Sequence, residues 1–148
     1  MKPEFKIISQ LIDENSQVLD VGCGDGILMD YLIEEKKVNI RGIEISKTKV
    51  QNCIAKGLTI IEGNAEKDLR QFPDKSFDYV ILSQTLQAFL NPEKVINELK
   101  LSNSLNFEIK IIYEDSTLDC EGKVIGTNLN QGSFIDKNVD EIVLVVDR

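Results

Sequence analysis

Three glycines stand at alternate positions in VLDVGCGDGILMDYL, residues 18–32, between an apolar run and a segment with helical spacing. They are Gly22, Gly24 and Gly26, and Asp20 precedes the first of them by two positions. Glycine has no Cβ, so such a loop tolerates positive φ angles and lets a ligand approach the backbone. A turn that needs glycine only for packing explains one of the three. The pattern D-x-G-x-G-x-G therefore favours a ligand-binding loop. It differs from the dinucleotide-binding motif G-x-G-x-x-G, because Ile27 occupies the position of that motif's third glycine.

Acidic and polar residues end the next three apolar runs. Glu44 closes the run RGIE, followed by Ile45, and a carboxylate there can accept both hydroxyls of a ribose. The alternative is a solvated charge at a strand end. If Glu44 holds a ligand, we expect Glu44→Gln to weaken ligand affinity by about 1–3 kcal/mol and to change folding stability by less than about 0.5 kcal/mol. The remaining candidate positions for ligand contact are Cys23 in the glycine loop, Asn64 and Ala65 in EGNAE, where an adenine edge would lie, and Ser83 and Gln84 in SQTLQ.

The chain contains no histidine, which excludes the usual imidazole general base and every catalytic triad that depends on one. The candidates for a general base are Asp25, Tyr31 and Glu66. Each of them is equally well explained as a helix cap, a core residue or a solvated charge. The sequence therefore leaves the catalytic residue open.

Short apolar runs alternate with amphipathic segments, which predicts a parallel sheet with helices on both faces. The predicted strands are QVLDVG, NIRGIEI, LTIIEG and FDYVILS. The predicted helices are DGILMDYLIEEKK, with Ile27, Leu28, Tyr31 and Leu32 on one side, SKTKVQNCIAKG, with Ser46 as its N-cap, and NPEKVINELKL, with Asn91 as its N-cap; AEKDLRQF is a short helix or turn. Ligands bind beyond the carboxyl ends of strands in such a sheet, where the candidate residues lie.

The composition of the chain argues against several classes of binding partner and site. A formal net charge of -8 argues against nucleic acid, because affinity for phosphate chains depends on Lys and Arg. The cysteines, Cys23, Cys53 and Cys120, form no CxxC pair, so free thiols are more probable than a disulfide framework or a metal site. The opening segment lacks the apolar stretch of a secretory signal, and no run is long enough to span a membrane. We expect a cytoplasmic protein.

The motifs VLDVGCGDG, GIEIS, EGNAE and FPDKSFDYVILSQTLQAFLNPEKVINEL resemble those of class I S-adenosylmethionine-dependent methyltransferases. They resemble more narrowly the methionine biosynthesis protein W (MetW) family, over about residues 12–99. The glycine motif marks only the superfamily, whereas the run around YVILSQTLQ is far more specific. The resemblance implies a Rossmann-like fold with S-adenosyl-L-methionine as cofactor. It also implies that Asp20, Gly22 and Gly24 hold the methionine part, that Glu44 holds the ribose, and that Asn64 and Ala65 lie near the adenine.

The agreement with the family stops near residue 100. In the tail, Phe107, Ile109 and Ile111 alternate with charged residues, which indicates a half-exposed antiparallel strand. The stretch GKVIGTNLNQGSFIDKNVDEIVLVV predicts two further strands and resembles the second half of a PASTA domain, an extracytoplasmic module. We expect residues 1–101 to form the cofactor-binding core. Residues 102–148 either complete a shortened sheet with an antiparallel hairpin, which we favour, or form a PASTA-like appendage.

Three functions follow from these features. The first is an S-adenosylmethionine-binding, methyltransferase-like protein of methionine biosynthesis with an unknown methyl acceptor. The second is a non-catalytic cofactor-binding subunit that regulates a homoserine O-acyltransferase, the enzyme with which the family is associated, because little sequence is available to roof a substrate pocket. The third is a glycan- or peptide-recognising module carried by the tail, as in a chimera, which would place the protein outside the cytoplasm.

Overall fold

A computed structural model describes residues 3–73, 76–83, 89–91, 94–95, 98, 108–113 and 141–146 of the chain. Helices and strands alternate through the first four strands. The helices are α1 (Pro3–Leu11), α2 (Ile27–Lys36), α3 (Lys47–Ala55) and α4 (Ala65–Asp68), the last followed by a single 3₁₀ turn at Leu69–Gln71. The strands are β1 (Gln17–Val21), β2 (Asn39–Glu44), β3 (Thr59–Glu62), β4 (Tyr79–Ser83), β5 (Glu108–Tyr113) and β6 (Glu141–Val146).

The six strands form one sheet in the order β3-β2-β1-β4-β6-β5. Strands β1 to β4 run parallel to one another, with Val21 opposite Ile43 between β1 and β2 and Asp20 opposite Ile81 between β1 and β4. The strands β1 and β2 thus lie inside the sheet. Because they are parallel, their carboxyl ends lie side by side at the same end of the sheet, which we call the carboxyl edge. The predicted α/β, Rossmann-like fold is confirmed.

The strand β6 is antiparallel to both of its neighbours and separates β4 from β5. It covers the edge of β4, where Tyr79 lies opposite Val146 and Ser83 opposite Ile142. An uncovered apolar strand invites pairing with another chain, and β6 removes this exposure from β4. The predicted alternating strand that contains Ile109 and Ile111 is β5, which lies outside β6 at the end of the sheet. An antiparallel pair therefore closes this end of the sheet, as the fold prediction had it.

Apolar side chains cover both faces of the sheet, because successive residues of a strand point to opposite sides. On one face, Val18 and Ile81 pack with the buried sides of α1 and α2. On the other face, Val80 and Leu82 pack with the segment that contains α4. Both faces of β1 and β4 are buried, which accounts for their nearly continuous apolar sequences, whereas β3 at the edge of the sheet is only partly covered.

The buried side of α2 differs from the predicted one. Leu28, Met29 and Leu32 are buried, whereas Ile27 is 59% exposed. The helix starts at Ile27, directly after the left-handed Gly26, so its first side chain lies at the open edge of the sheet instead of over the core. The predicted cap of α3 is confirmed, because the Ser46 hydroxyl accepts a hydrogen bond from the Lys49 N–H at 3.5 Å.

Some predicted features lie outside the described residues. These are part of the turn at residues 73–76, Gln84, most of the helix at residues 91–101, Phe107, Cys120 and the first of the two strands predicted after it. The predicted cap at Asn91 is described, and its side-chain oxygen accepts from the Lys94 N–H at 3.2 Å. Among the helices in the described part of the chain, none combines the length and apolar character needed to cross a membrane.

Candidate functional site

The glycine loop connects β1 to α2 and is fixed to the neighbouring strand by its backbone. The Gly22 N–H donates to the Ile43 carbonyl oxygen at 2.8 Å, and the Cys23 N–H donates to the same oxygen at 3.3 Å. All three glycines have positive φ, with values of 72°, 58° and 80° for Gly22, Gly24 and Gly26. L-residues adopt this conformation only at a cost, so the loop requires glycine for its shape.

Gly24 and Gly26 differ in what surrounds them. A Cβ added to Gly24 would meet no atom of the described residues within 4 Å, so this side of the loop is open with respect to that part of the chain. A Cβ added to Gly26 would clash with Leu58 Cδ1 and lie 3.1 Å from Cys53 Sγ. Gly26 therefore packs against the connection between α3 and β3, whereas Gly24 leaves room where a ligand can approach the backbone. The sequence pattern did not distinguish these two roles.

Glu44 is buried and hydrogen-bonded, which corrects the expectation that Glu44→Gln leaves stability unchanged. Its side chain is 8% exposed, and its two oxygens accept from the Gly24 N–H at 3.0 Å and the Ser46 N–H at 2.8 Å. Hydrogen bonds to a charged group are worth about 1.5–3 kcal/mol each. Glu44 thus joins the glycine loop to the start of α3, and the solvated-charge alternative is wrong.

Asp20 lies on the same face of the sheet as Glu44 and has a different environment. Its carboxylate is 3% exposed and has no hydrogen-bond partner among the described residues. Burial, and secondarily the charge of Glu44, raises the pKa of Asp20 to about 7. A buried carboxylate without a donor is costly, so this position favours an external group that brings hydrogen-bond donors or positive charge.

Two buried thiols lie behind the glycine loop. The Cys53 Sγ contacts the Gly24 carbonyl oxygen at 3.2 Å, and the Cys23 Sγ lies 3.8 Å from the same oxygen. Burial is the main cause that raises the pKa of both thiols. The prediction of free buried thiols is confirmed for Cys23 and Cys53. Such neutral thiols act as small packing groups.

The remaining predicted contact residues lie at or near the carboxyl ends of the strands. Ile45 follows Glu44 and is 67% exposed, which leaves an apolar side chain free beside the buried carboxylates. Asn64 caps α4 through its side-chain oxygen, which accepts from the Glu66 N–H at 2.9 Å, and Ala65 is buried. Ser83 is the last residue of β4. The topology brings these residues to the same edge as the glycine loop.

The three candidate bases have other partners. The Asp25 carboxylate accepts from the Asn52 side chain at 3.0 Å, and the Glu66 carboxylate accepts from the backbone N–H groups of Leu90 and Asn91. The Tyr31 ring packs on Phe5 of α1, with 5.8 Å between ring centroids. Each side chain thus has a structural role, and none of these contacts positions a proton acceptor toward the open side of Gly24.

One cation supports the loop and was not anticipated. The Lys56 ammonium donates to the Asp25 carbonyl oxygen at 2.8 Å and pairs with Asp30 at 3.6 Å. Lys56 lies just after α3, 31 residues from Asp25 along the chain. No local sequence signal identifies such a contact, because it depends on how α3 packs beside the loop.

Comparison with known proteins identifies a matching family and a similar curated protein. The family described as methionine biosynthesis protein MetW matches residues 2–106. The bifunctional methionine biosynthesis protein MetXA/MetW of Rhodopirellula baltica is 31% identical over 100 residues, which are 62% of this chain and 16% of that protein. The chain therefore spans a small part of this curated relative.

Solved structures agree with the fold. A SAM-dependent methyltransferase from Aquifex aeolicus has a TM-score of 0.60 at 19% identity, over 95% of this chain and 86% of that one. The plantazolicin methyltransferase BamL, solved with SAH, has a TM-score of 0.59 at 25% identity, over 74% of this chain and 42% of that one. The family match covers the glycine loop, Glu44 and the whole parallel part of the sheet. The chain belongs to the methionine biosynthesis protein MetW family and has the class I methyltransferase fold.

Proposed function

We propose that the chain binds S-adenosyl-L-methionine at the carboxyl edge of its parallel strands and acts as a methyltransferase-like protein of methionine biosynthesis. The observation that carries this proposal is the buried carboxylate of Asp20, which has no hydrogen-bond partner among the described residues and lies in β1 two residues before Gly22. The cofactor carries an ammonium group and a sulfonium, so it supplies both donors and positive charge. These are the features that the Asp20 environment favours.

The other residues fit the remaining parts of the cofactor. Glu44 already accepts from one backbone N–H of the loop and one at the start of α3, and its oxygens have further lone pairs for ribose hydroxyls. The exposed Ile45 offers an apolar surface to a ring, and Asn64 and Ala65 begin α4 at the next strand end. When bound, the sulfonium supplies an activated methyl group, and the chain's own task is to orient it and exclude water.

Isothermal titration calorimetry with S-adenosylmethionine and S-adenosylhomocysteine tests this assignment. We expect one site per chain for both ligands. Adenosine serves as the control ligand, because it contains the base and ribose of the cofactor but carries no ammonium or sulfonium for Asp20. The assignment is wrong if a folded protein gives neither heat nor thermal stabilisation with millimolar S-adenosylmethionine.

A second candidate function is regulation of a homoserine O-acyltransferase by a non-catalytic subunit. Two observations favour it. The name of the Rhodopirellula relative joins a MetXA part to a MetW part, and the three candidate bases all have structural partners. In this case the chain binds the cofactor without turnover and forms a complex with the acyltransferase of the same source. Size-exclusion chromatography of the mixed proteins, with and without S-adenosylmethionine, measures complex formation, and a methyl-transfer assay measures turnover. A complex without turnover supports the regulatory function, and turnover supports the methyltransferase function.

A further inference from the structure

Glu66 joins two segments that are distant in sequence. It lies in the first turn of α4, and its carboxylate accepts from the Leu90 N–H at 2.9 Å and from the Asn91 N–H at 3.2 Å. The Glu66 N–H in turn donates to the Asn64 side chain. The turn that follows β3 and the segment that follows β4 are thus tied together by one side chain.

Apolar contacts alone do not fix the backbone at Leu90 and Asn91, in the segment that follows β4. Phe89 and Val95 pack against the core on either side of it, but Leu90 is 88% exposed. Phe89 and Val95 can hold the segment close to the sheet without specifying the position of the backbone between them. Two charge-assisted hydrogen bonds to consecutive N–H groups are directional and specify that position.

The location of this contact connects it to the candidate site. Ser83 ends β4 at the carboxyl edge of the sheet, and the chain comes back to α4 at Leu90. The polar run SQTLQ occupies the sequence between these two fixed points, and Asn64 and Ala65 lie at the start of the same helix. A displacement of Leu90 and Asn91 therefore changes the position of residues 89–91 relative to the start of α4, where the candidate contact residues Asn64 and Ala65 lie.

We propose that Glu66 is a positioning residue of the cofactor site, which sets the segment after β4 against the start of α4 and so shapes the adenosine side of the pocket. The inference rests on the proposed function. It replaces the general-base interpretation of Glu66, since both carboxylate oxygens are used by backbone donors. The role requires a carboxylate: an amide keeps one acceptor and turns an NH₂ group toward the second N–H.

The test compares Glu66→Ala, Glu66→Gln and the control Glu62→Gln. Glu62 is an exposed carboxylate at the end of β3, with no hydrogen bond or ion pair within the described part of the chain. We expect Glu66→Ala to weaken both S-adenosylmethionine and S-adenosylhomocysteine by the same factor, about threefold to thirtyfold, because the effect is on the adenosine they share. Glu66→Gln should retain part of the affinity, and Glu62→Gln all of it.

Hydrogen exchange on the ligand-free proteins supplies a second readout that does not depend on the cofactor. In Glu66→Ala the amides of Leu90 and Asn91 should exchange faster, while those of β1 and β2 should keep their protection. Equal protection in parent and variant, or unchanged affinity for both ligands, overturns the inference while the parent's binding still supports the proposed function. A parent that binds neither ligand overturns the proposed function and this inference with it.

Discussion

Asp20 and Glu44 lie on the same face of two neighbouring parallel strands, both nearly inaccessible to solvent, yet within the described residues only Glu44 has hydrogen-bond donors. The charge of Glu44 adds to the effect of burial and helps to raise the pKa of Asp20 to about 7. Glu44 thus organises the glycine loop, whereas Asp20 has no hydrogen-bond donor in the described part of the chain. This division makes the site dependent on pH in the physiological range.

The stability of the ligand-free protein should fall as the pH rises. The pKa of Asp20 is raised in the folded state from 3.8 to about 7, so its neutral form is favoured by folding and its ionisation opposes folding. Relative to Asp20→Asn, the parent should lose about 1.4 kcal/mol of unfolding free energy per pH unit between pH 5 and 7 and little more above it. Urea denaturation of both proteins at several pH values measures this difference. Parallel profiles would rule out an Asp20 titration.

Cofactor affinity should have the opposite pH dependence. An ammonium or sulfonium near Asp20 favours the ionised carboxylate, so binding at pH 6 must release a proton that binding at pH 8 need not. We expect the apparent Kd for S-adenosylmethionine to rise about tenfold per pH unit below 7. Calorimetry in buffers of different ionisation enthalpy measures the proton release directly. Asp20→Asn should bind more weakly at pH 8 and release no proton at pH 6; a parent that releases none contradicts the assignment of Asp20 to the cofactor's charge.

Glu44→Gln should weaken both the fold and the cofactor site. The amide oxygen can accept from one of the two N–H groups, of Gly24 or Ser46, and the NH₂ group then opposes the other. We expect a loss of about 1–3 kcal/mol in unfolding free energy and a similar loss in S-adenosylmethionine binding. Glu62→Gln, on the neighbouring strand and exposed, is the control and should change stability by less than about 0.5 kcal/mol. Stability equal to the parent's in Glu44→Gln would show that these two hydrogen bonds contribute nothing.

Much of the fold was predictable because it depends on local pattern. Apolar runs bounded by turn residues gave the parallel strands to within one or two residues, and the Ser46 cap needed only its hydroxyl and the following amphipathic segment. The position of Glu44 at the end of β2 was equally clear. These features need no knowledge of what packs against them.

The features that sequence missed depend on contacts between distant segments. Whether Glu44 is solvated depends on the Gly24 and Ser46 amides, and the reason for glycine at position 26 is the Leu58 side chain. The partners of Glu66 lie 24 and 25 residues away along the chain. No periodicity in a single sequence encodes such pairs, so a candidate base and a positioning residue were indistinguishable there.

Gly24→Ala and Gly57→Ala form a matched pair that separates ligand occlusion from backbone strain. Both glycines have positive φ, 58° and 82°, and at either an added Cβ would meet no atom within 4 Å in the part of the chain that the structure describes. Each substitution should therefore cost about 1–2 kcal/mol of stability. Only Gly24→Ala places a methyl group on the open side of the loop, so it alone should weaken S-adenosylmethionine binding, by at least about tenfold, in a calorimetric titration. Equal affinities in the two variants would show that the open side of Gly24 is not where the cofactor lies.

Removal of the residues after Leu101 should destabilise the parallel core if the tail belongs to the same fold. The strand β6 pairs with the whole length of β4, from Tyr79 to Ser83. Loss of β6 therefore leaves the backbone groups and apolar side chains of β4 at an open edge of the sheet. We expect the truncated chain to aggregate or to lose cooperative unfolding, with retained far-UV and weakened near-UV circular dichroism. A full-length variant with Val143→Lys and Val145→Lys in β6 serves as a second test, since two charges in the strand that covers β4 should lower the melting temperature. A truncated chain that unfolds cooperatively and binds S-adenosylmethionine as tightly as the parent would instead identify the tail as an independent appendage, in accord with its PASTA-like sequence.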